Sequence, residues 1–447
     1  MSGADGPRVT PDGPVTLRHR LERIGRWLDN PDVDINTGRW LGVASLVALV
    51  SIFMREPILA LIAFGIALVA LLTRVWWDNS FRGLTYERKV SRERAFHGDT
   101  VEVELIATNA KPLPLTRLEV SDQVSSNVEI VNRALDRSDQ AHSKLLRTVF
   151  SLGMYERVHY TFKVPCRSRG WHRFGPAVGA ASDPLGLTTR REELGGVERF
   201  LVYPRMVPIT ELIVPPRQPF GDLKPLQSVV EDPMRMAGVR AYVPGDSPKR
   251  IHWRATARTG TIQTRVFEPS ASPVAAIFLD TITFSYLWEG QNSALLELAV
   301  TTAASLSRQL LENKHQVGLY ANAPIPNRSR TVRVPPGRRP GQLTRILEDL
   351  AALMPAFGDR IERMVMQEMT RLPWGATVVI VTCRVTEGLQ RSLVRLARSS
   401  GTQRFVIIAI GPQPTLIPDL RRRIPVYHLS DEEPWDTIEA ITMTKQA

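Results

Sequence analysis

Cysteine is almost missing from this chain of 447 residues: Cys166 and Cys383 stand far apart and in no paired motif. That excludes a disulfide framework and a cysteine-built zinc site, and leaves buried free thiols in a reducing compartment as the expectation. Histidine is equally sparse as a ligand source. His19, His97, His142, His159, His172, His315 and His428 are scattered without ligand spacing, and only His252 falls in a dense motif. The sequence also lacks a glycine-rich phosphate cradle, a nucleophile elbow and a metalloprotease helix. Its 33 prolines are dispersed, so there is no low-complexity tract. These absences argue against an enzyme and lead to no expected cofactor.

What is present begins with two apolar runs, "GRWLGVASLVALVSIFM" and "ILALIAFGIALVALLTRVWW", joined by Arg55-Glu56-Pro57. At ~1.5 Å per residue the runs reach roughly 25 and 31 Å, against a hydrocarbon core of about 30 Å. Arg39 and Arg74 can snorkel, and Trp40, Trp76 and Trp77 suit the interface. A transmembrane hairpin over 37–77 is expected. Arg18, Arg20, Arg23, Arg26 and Arg39 precede it and Arg74, Arg82, Arg88, Lys89, Arg92 and Arg94 follow it, whereas the turn holds only Arg55. The positive-inside rule then places both termini in the cytoplasm, with 1–36 as a cytoplasmic segment on a bacterial plasma membrane.

Downstream the periodicity changes twice. Over 83–205 it is that of strands: "TVEVELIATNA" alternates Val101, Val103 and Leu105 with Glu102 and Glu104, predicting an antiparallel, immunoglobulin-like β-sandwich. Over 269–447, apolar runs such as "VAAIFLD", "ATVVIVTC" and "RFVIIAIG" alternate with helical stretches, predicting a doubly wound α/β sheet with parallel strands buried on both faces. The fold class is therefore α/β plus β behind a membrane hairpin, with 206–268 as a connecting segment.

That connecting segment carries "YVPGDSPKRIHWRATAR". Pro244-Gly245 makes a turn, Asp246 or Ser247 caps a helix with Pro248 in its first turn, and the helix is expected to run unbroken to Gly260. Ile251, Ala255 and Arg258 share one side of it; Arg250, Trp253, Arg254 and Ala257 share another. The net charge of +12 gathers here and in the arginine-rich stretch 323–345. The latter has no aromatic to stack on bases, so nucleic acid is not an expected partner.

These residues also carry a resemblance. "RSRGWHRFGPAVGAASDPLGL" at 167–187, "VYP" at 202–204 and "RAYVPGDSPKRIHWRATARTG" at 240–260 resemble, in order, the signature series of the bacterial family known as domain of unknown function 58. The resemblance implies a von Willebrand factor type A-like C-terminal domain and a MoxR-type AAA+ ATPase as partner; it brings no enzymatic activity. The signature residues are Arg240, Tyr242, Pro244, Gly245, Asp246, Arg250, His252, Trp253 and Arg258, with Asp183, Pro184 and Gly186 as a second turn. A bracing role between domains is expected of them: half-buried charge-assisted bonds around Asp246, and Trp253 filling an interface.

The implied C-terminal domain would hold a divalent metal through Asp-x-Ser-x-Ser, a Thr and a second Asp. Here Asp280 is the one matching carboxylate. Ile282 and Phe284 replace the serines, Cys383 stands where the acid is expected, and Gln342 is the expected counterpart of the Thr. Thr281, Thr283 and Ser285 are substitute oxygens. No metal is expected. The leading expectation is a non-enzymatic, membrane-anchored scaffold or adaptor. Its rivals are a cell-envelope or protein-modifying enzyme centred on Asp246 and His252, and a metal-dependent adhesion-type binding protein built on Asp280.

Overall fold

The computed structural model describes residues 57–183, 189–210, 231–243, 246–269, 273–284, 290–325, 331–354, 359–373, 375–399 and 403–446, and parts of 42–50. The N-terminal segment 1–36, the Arg55-Glu56 turn and most of the first apolar run lie outside them; the described positions between 42 and 50 are helical. The chain divides into two units, Met1–Leu201 and Val202–Ala447. The expected connecting segment falls within the second unit.

In the first unit the second apolar run forms helix α1, Pro57–Asn79, with proline at its start where the missing N–H costs nothing. Its Leu61–Asn79 stretch, of mean hydropathy 1.7, is among the described residues the one helix long and apolar enough to cross a membrane. Most of its large side chains are exposed, Leu61 at 71% and Phe64 at 65%. A narrow stripe of Ala63, Ala70, Thr73 and Trp76 is buried instead.

Ten strands follow. β1 (Leu84–Val90), β3 (Thr100–Asn109) and β7 (Arg157–Pro165) make one antiparallel sheet. β2 (Arg94–Phe96), β10 (Glu198–Tyr203), β8 (Gly170–Ser182), β4 (Leu115–Ser125), β6 (Ser143–Leu152) and β5 (Asp136–Arg137) make the other in that order, with β9 (Thr189–Gly195) also paired to β8. The alternation read in "TVEVELIATNA" is the burial pattern of β3, with Val101, Val103 and Leu105 inside. Phe150 of β6 joins the two sheets: its ring lies 6.2 Å from that of Tyr86 on β1 and 5.0 Å from that of Tyr160 on β7. Beside it, Arg88 of β1 pairs with Asp122 of β4, both side chains almost inaccessible to water at 2% and 1%. Tyr86 donates its hydroxyl to the same carboxylate, and Arg88 donates to the Gly196 carbonyl.

The end of this sandwich that meets α1 is built from cations and carbonyls. A helix C-terminus leaves carbonyls unpaired and carries a partial negative charge. Arg190 of β9 donates to the Trp77 carbonyl at 2.8 Å and lays its guanidinium over the Phe81 ring. Buried Lys111 donates to the Ser80 carbonyl. Desolvation pushes the Lys111 amine down to about 8. The helix is thus fixed to the sandwich through its last turn.

The second unit opens with the hairpin of β11 (Glu231–Ala241) and β12 (Gln263–Pro269). Its main sheet has the order β15-β14-β13-β16-β17-β18-β19, from β13 (Val274–Leu279), β14 (Gln316–Ala321), β15 (Val332–Gly337), β16 (Thr377–Thr382), β17 (Arg404–Ile410), β18 (Val426–Leu429) and β19 (Thr444–Lys445). The strands from β14 through β18 are mutually parallel in space, and β15 and β19 run antiparallel at the edges. The unbroken apolar runs are the strands buried on both faces, as expected. Helix α3 (Ser293–Glu312) is apolar and buried along most of its length, whereas Leu389, Leu393 and Val394 of Glu387–Ser399 give that helix one buried face.

Candidate functional site

Among the described residues of the second unit, two places gather the side chains singled out in the sequence. The first is the β11–β12 hairpin. Its connection does not form the single helix expected from the sequence. Pro248–Arg250 is a short 3-10 turn; the chain then extends, with Ile251 bridging Thr264 and the His252 amide donating to the Gln263 carbonyl at 2.8 Å. Pairing with β12 takes the backbone groups that a continuous helix would have used. The α-helix, α2, begins only at Trp253 and runs to Thr259, where Gly260 closes it at φ 72°, as predicted.

This geometry reassigns the caps. His252, expected inside the helix, is its N-cap: Nδ1 accepts from the Ala255 amide at 3.0 Å. Asp246 and Ser247 make no side-chain cap to the turn that follows. Asp246 instead accepts from Arg240 at 2.6 Å and from the Val243 amide at 3.1 Å. The Arg240 guanidinium, then the Val243 amide, hold the Asp246 carboxyl below its usual range. Tyr242 ties the hairpin through its backbone, donating to Ile262 at 2.8 Å. Neither Asp246 nor His252 contacts the other through these bonds, so a base and its orienting acid are not brought together here. Pro244 and Gly245 lie outside the described residues.

Burial around the motif is uneven. The Arg240–Asp246 bond is half-buried at 47% and 18% exposure, whereas Arg250, Arg254 and Arg258 are exposed and Trp253 is 67% exposed. The physical reason lies in the direction of α2. Ala255 and Thr256 turn toward β12, where Thr256 Oγ1 accepts from the Gln263 amide at 3.0 Å, so Trp253, Arg254, Ala257 and Arg258 face outward. No described packing stands behind the bracing role expected of the indole. The exposed face is a large aromatic beside a small alanine, rimmed by guanidinium groups.

The second place lies at the carboxyl ends of β13, β14 and β16. Strand order reverses direction between β13 and β16, and ligand crevices of open α/β sheets form at such switch points. Asp280 follows β13 and is buried. Its Oδ1 accepts from Asn322 Nδ2 at 2.8 Å and from the Ile282 amide at 3.2 Å, and its Oδ2 accepts from Thr382 Oγ1 at 2.9 Å. Desolvation raises its carboxyl above the usual range against these donors. Asn322 also takes the Thr281 amide and hydroxyl on its oxygen and donates to the Asp359 carbonyl at 2.9 Å.

A divalent cation needs several converging oxygens, and this donor set does not fit one. Both oxygens of Asp280 are taken by protein donors, and Asn322 turns its N–H toward the carboxylate. Thr283 accepts from the Asn292 amide at 2.8 Å, and Ser285 lies outside the described residues. Gln342, expected near Asp280, instead donates to Val317 and Pro335. Val317 pairs with Ala275 at the opposite end of the strands from Asp280. Cys383 is buried against the Leu295 carbonyl, with its thiol pushed up to about 12 by burial. Among the described residues no three His, Cys, Asp or Glu side chains converge on one point. Sequence reading missed Asn322 and Thr382; the available signal was that each ends a strand beside β13.

In the first unit Asp183 is buried at the end of β8, and Pro184 and Gly186 lie outside the described residues. Ser182 and Thr189, on either side of that stretch, are paired across β8 and β9 with hydroxyls 3.0 Å apart.

Comparison with solved structures gives short, distant overlaps. The CARDB domain of the PF1109 protein from Pyrococcus furiosus, crystallised in complex with di-metal ions, is similar over 27% of this chain and 86% of its own, at 16% identity and TM-score 0.19. A cohesin module from a Clostridium perfringens ATCC13124 family 33 glycoside hydrolase overlaps 26% of this chain and 96% of its own, at 11% identity and TM-score 0.19. In sequence, the uncharacterized protein YeaD of Bacillus subtilis (strain 168) is 24% identical over 329 residues, 73% of this chain and 76% of that protein. Residues 238–421, which span the signature helix and the Asp280 network, match the family described as Protein of unknown function DUF58.

Proposed function

We propose that this protein is a membrane-tethered, non-enzymatic adaptor whose signature hairpin is a docking face for a protein partner. The observation that carries the reading is Trp253, a 67% exposed indole on a face shared with Arg254 and Arg258. Aromatic and arginine side chains dominate the energetics of protein interfaces because both bury large surface while keeping directional contacts. The exposed apolar surface of α1 supports the tether. The buried Ala63, Ala70 and Thr73 stripe suits close helix packing in lipid and favours the hairpin over a single span. A two-pass anchor in the bacterial plasma membrane with cytoplasmic termini follows from the charge distribution. The strand order of the second unit, with its antiparallel β15 edge, supports the von Willebrand A-like reading, and the two packed sheets support the immunoglobulin-like one. The partner implied by the family resemblance is a MoxR-type AAA+ ATPase.

The test is affinity capture of the detergent-solubilised full chain with and without nucleotide. The expected result is recovery of a MoxR-type ATPase by the wild-type chain and its loss with Trp253→Ala or Arg254→Glu, at unchanged melting temperature. Failure to recover such an ATPase in either nucleotide state would overturn the partner assignment, and equal recovery by both variants would overturn the docking face.

A further inference from the structure

The loop between β6 and β7, residues 153–156, presents two exposed apolar side chains, Met154 at 62% and Tyr155 at 69%. Tyr155 takes a positive φ of 53°. A bulky residue rarely adopts that conformation, which glycine or asparagine fills at less strain. The loop is firmly held. Glu156 folds back to accept from the Gly153 amide at 2.5 Å, and buried Asn109 donates to the Gly153 carbonyl at 2.7 Å.

The same bonds fix where this tip stands. The Tyr155 amide donates to the Lys111 carbonyl at 3.3 Å, and the Lys111 ammonium reaches the Ser80 carbonyl just past the end of α1. The tip therefore lies at the end of the sandwich that holds the helix terminus, and in sequence Arg74, Trp77 and Arg82 close the apolar stretch there. An apolar–aromatic tip followed directly in the chain by Arg157 matches the chemistry of the headgroup layer, where tyrosine keeps its ring in the apolar boundary and its hydroxyl in water.

We infer that Met154 and Tyr155 form a second, interfacial membrane contact that holds the sandwich against the leaflet from which α1 emerges. The occupant is lipid, because the Lys111 bonds tie the tip to the C-terminal end of α1, whose large apolar side chains are exposed. This inference rests on the reading of α1 as a membrane span. The two are separable by placing one environment-sensitive fluorophore at a time, through Leu68→Cys, Tyr155→Cys or Ser126→Cys, in the full chain reconstituted into vesicles of phosphatidylcholine and phosphatidylglycerol. Ser126 is exposed beyond the far end of β4 and reports bulk water. The native cysteines are buried and leave the introduced thiol as the reactive one.

Quenching by headgroup-labelled lipid is expected to be several-fold stronger at position 155 than at 126, with position 68 quenched by acyl-chain-labelled lipid. If position 68 reads as lipid and position 155 matches 126, the interfacial contact is overturned and the span stands. If position 68 is aqueous, both fall. Unlabelled Tyr155→Asn, which suits the positive φ, should keep the melting temperature and increase exposure of a label at Arg157→Cys to a water-soluble quencher; unchanged exposure would count against the contact.

Discussion

Two of the arginine–aspartate pairs among the described residues differ sharply in their settings. Arg88 and Asp122 meet between the sheets of the sandwich with 2% and 1% of their side chains exposed, whereas Arg240 and Asp246 meet on the signature hairpin with 47% and 18% exposed. The conspicuous motif holds the wet pair, and two unremarkable strands hold the dry one. A buried pair is costly to break, because the surviving charge has no water to fall back on; an exposed pair is worth little to folding. The sandwich therefore depends on its pair for integrity, whereas the hairpin pair contributes little to folding.

The largest effect that would sharpen this contrast is expected from Arg88→Met. It strands the Asp122 carboxylate and should cost about 3–5 kcal/mol in chemical denaturation of the full chain. Adding Asp122→Leu should restore much of that loss, since an apolar pair of similar volume needs no desolvation. A smaller effect is expected from pH. His172 is buried, stacked on Phe200 at 5.0 Å, and its Nε2 donates to the Ser168 carbonyl at 2.9 Å. Desolvation holds its imidazole below the ordinary histidine value of 6.5. The unfolded chain then binds the extra proton first, so this contribution is complete above pH 6.5 and is lost as pH falls through and below it. Urea titrations of wild type and His172→Phe between pH 7.5 and 5 should show a flatter slope for the variant. Asp246→Asn should move the melting temperature least of all. A loss as large as that of Arg88→Met would break the comparison and return the signature to a structural role.

Much of the architecture was legible because burial writes periodicity into the chain. Alternating Val101, Val103 and Leu105 marked a sheet with one dry face, and runs such as "VAAIFL" marked strands dry on both. The ends of α2 were half legible. Gly260 stops it as expected, but the start moved from Pro248 to Trp253 because Ile251 and His252 pair with β12, a partner outside the local window. Asp280 was noticed for its place after an apolar strand, yet its partners come from strands 42 and 102 residues away. No local spacing encodes those contacts.

Composition and periodicity alone determined the apolar α1, the β and α/β halves and the absence of a cysteine framework, since each depends on the solvent preferences of side chains near one another in sequence. Only the tertiary structure decided that Trp253 faces water, that His252 caps a helix and that donors close around Asp280. Those outcomes depend on which surfaces meet after distant segments pair, and the cost or gain of a polar group is set by what surrounds it in space.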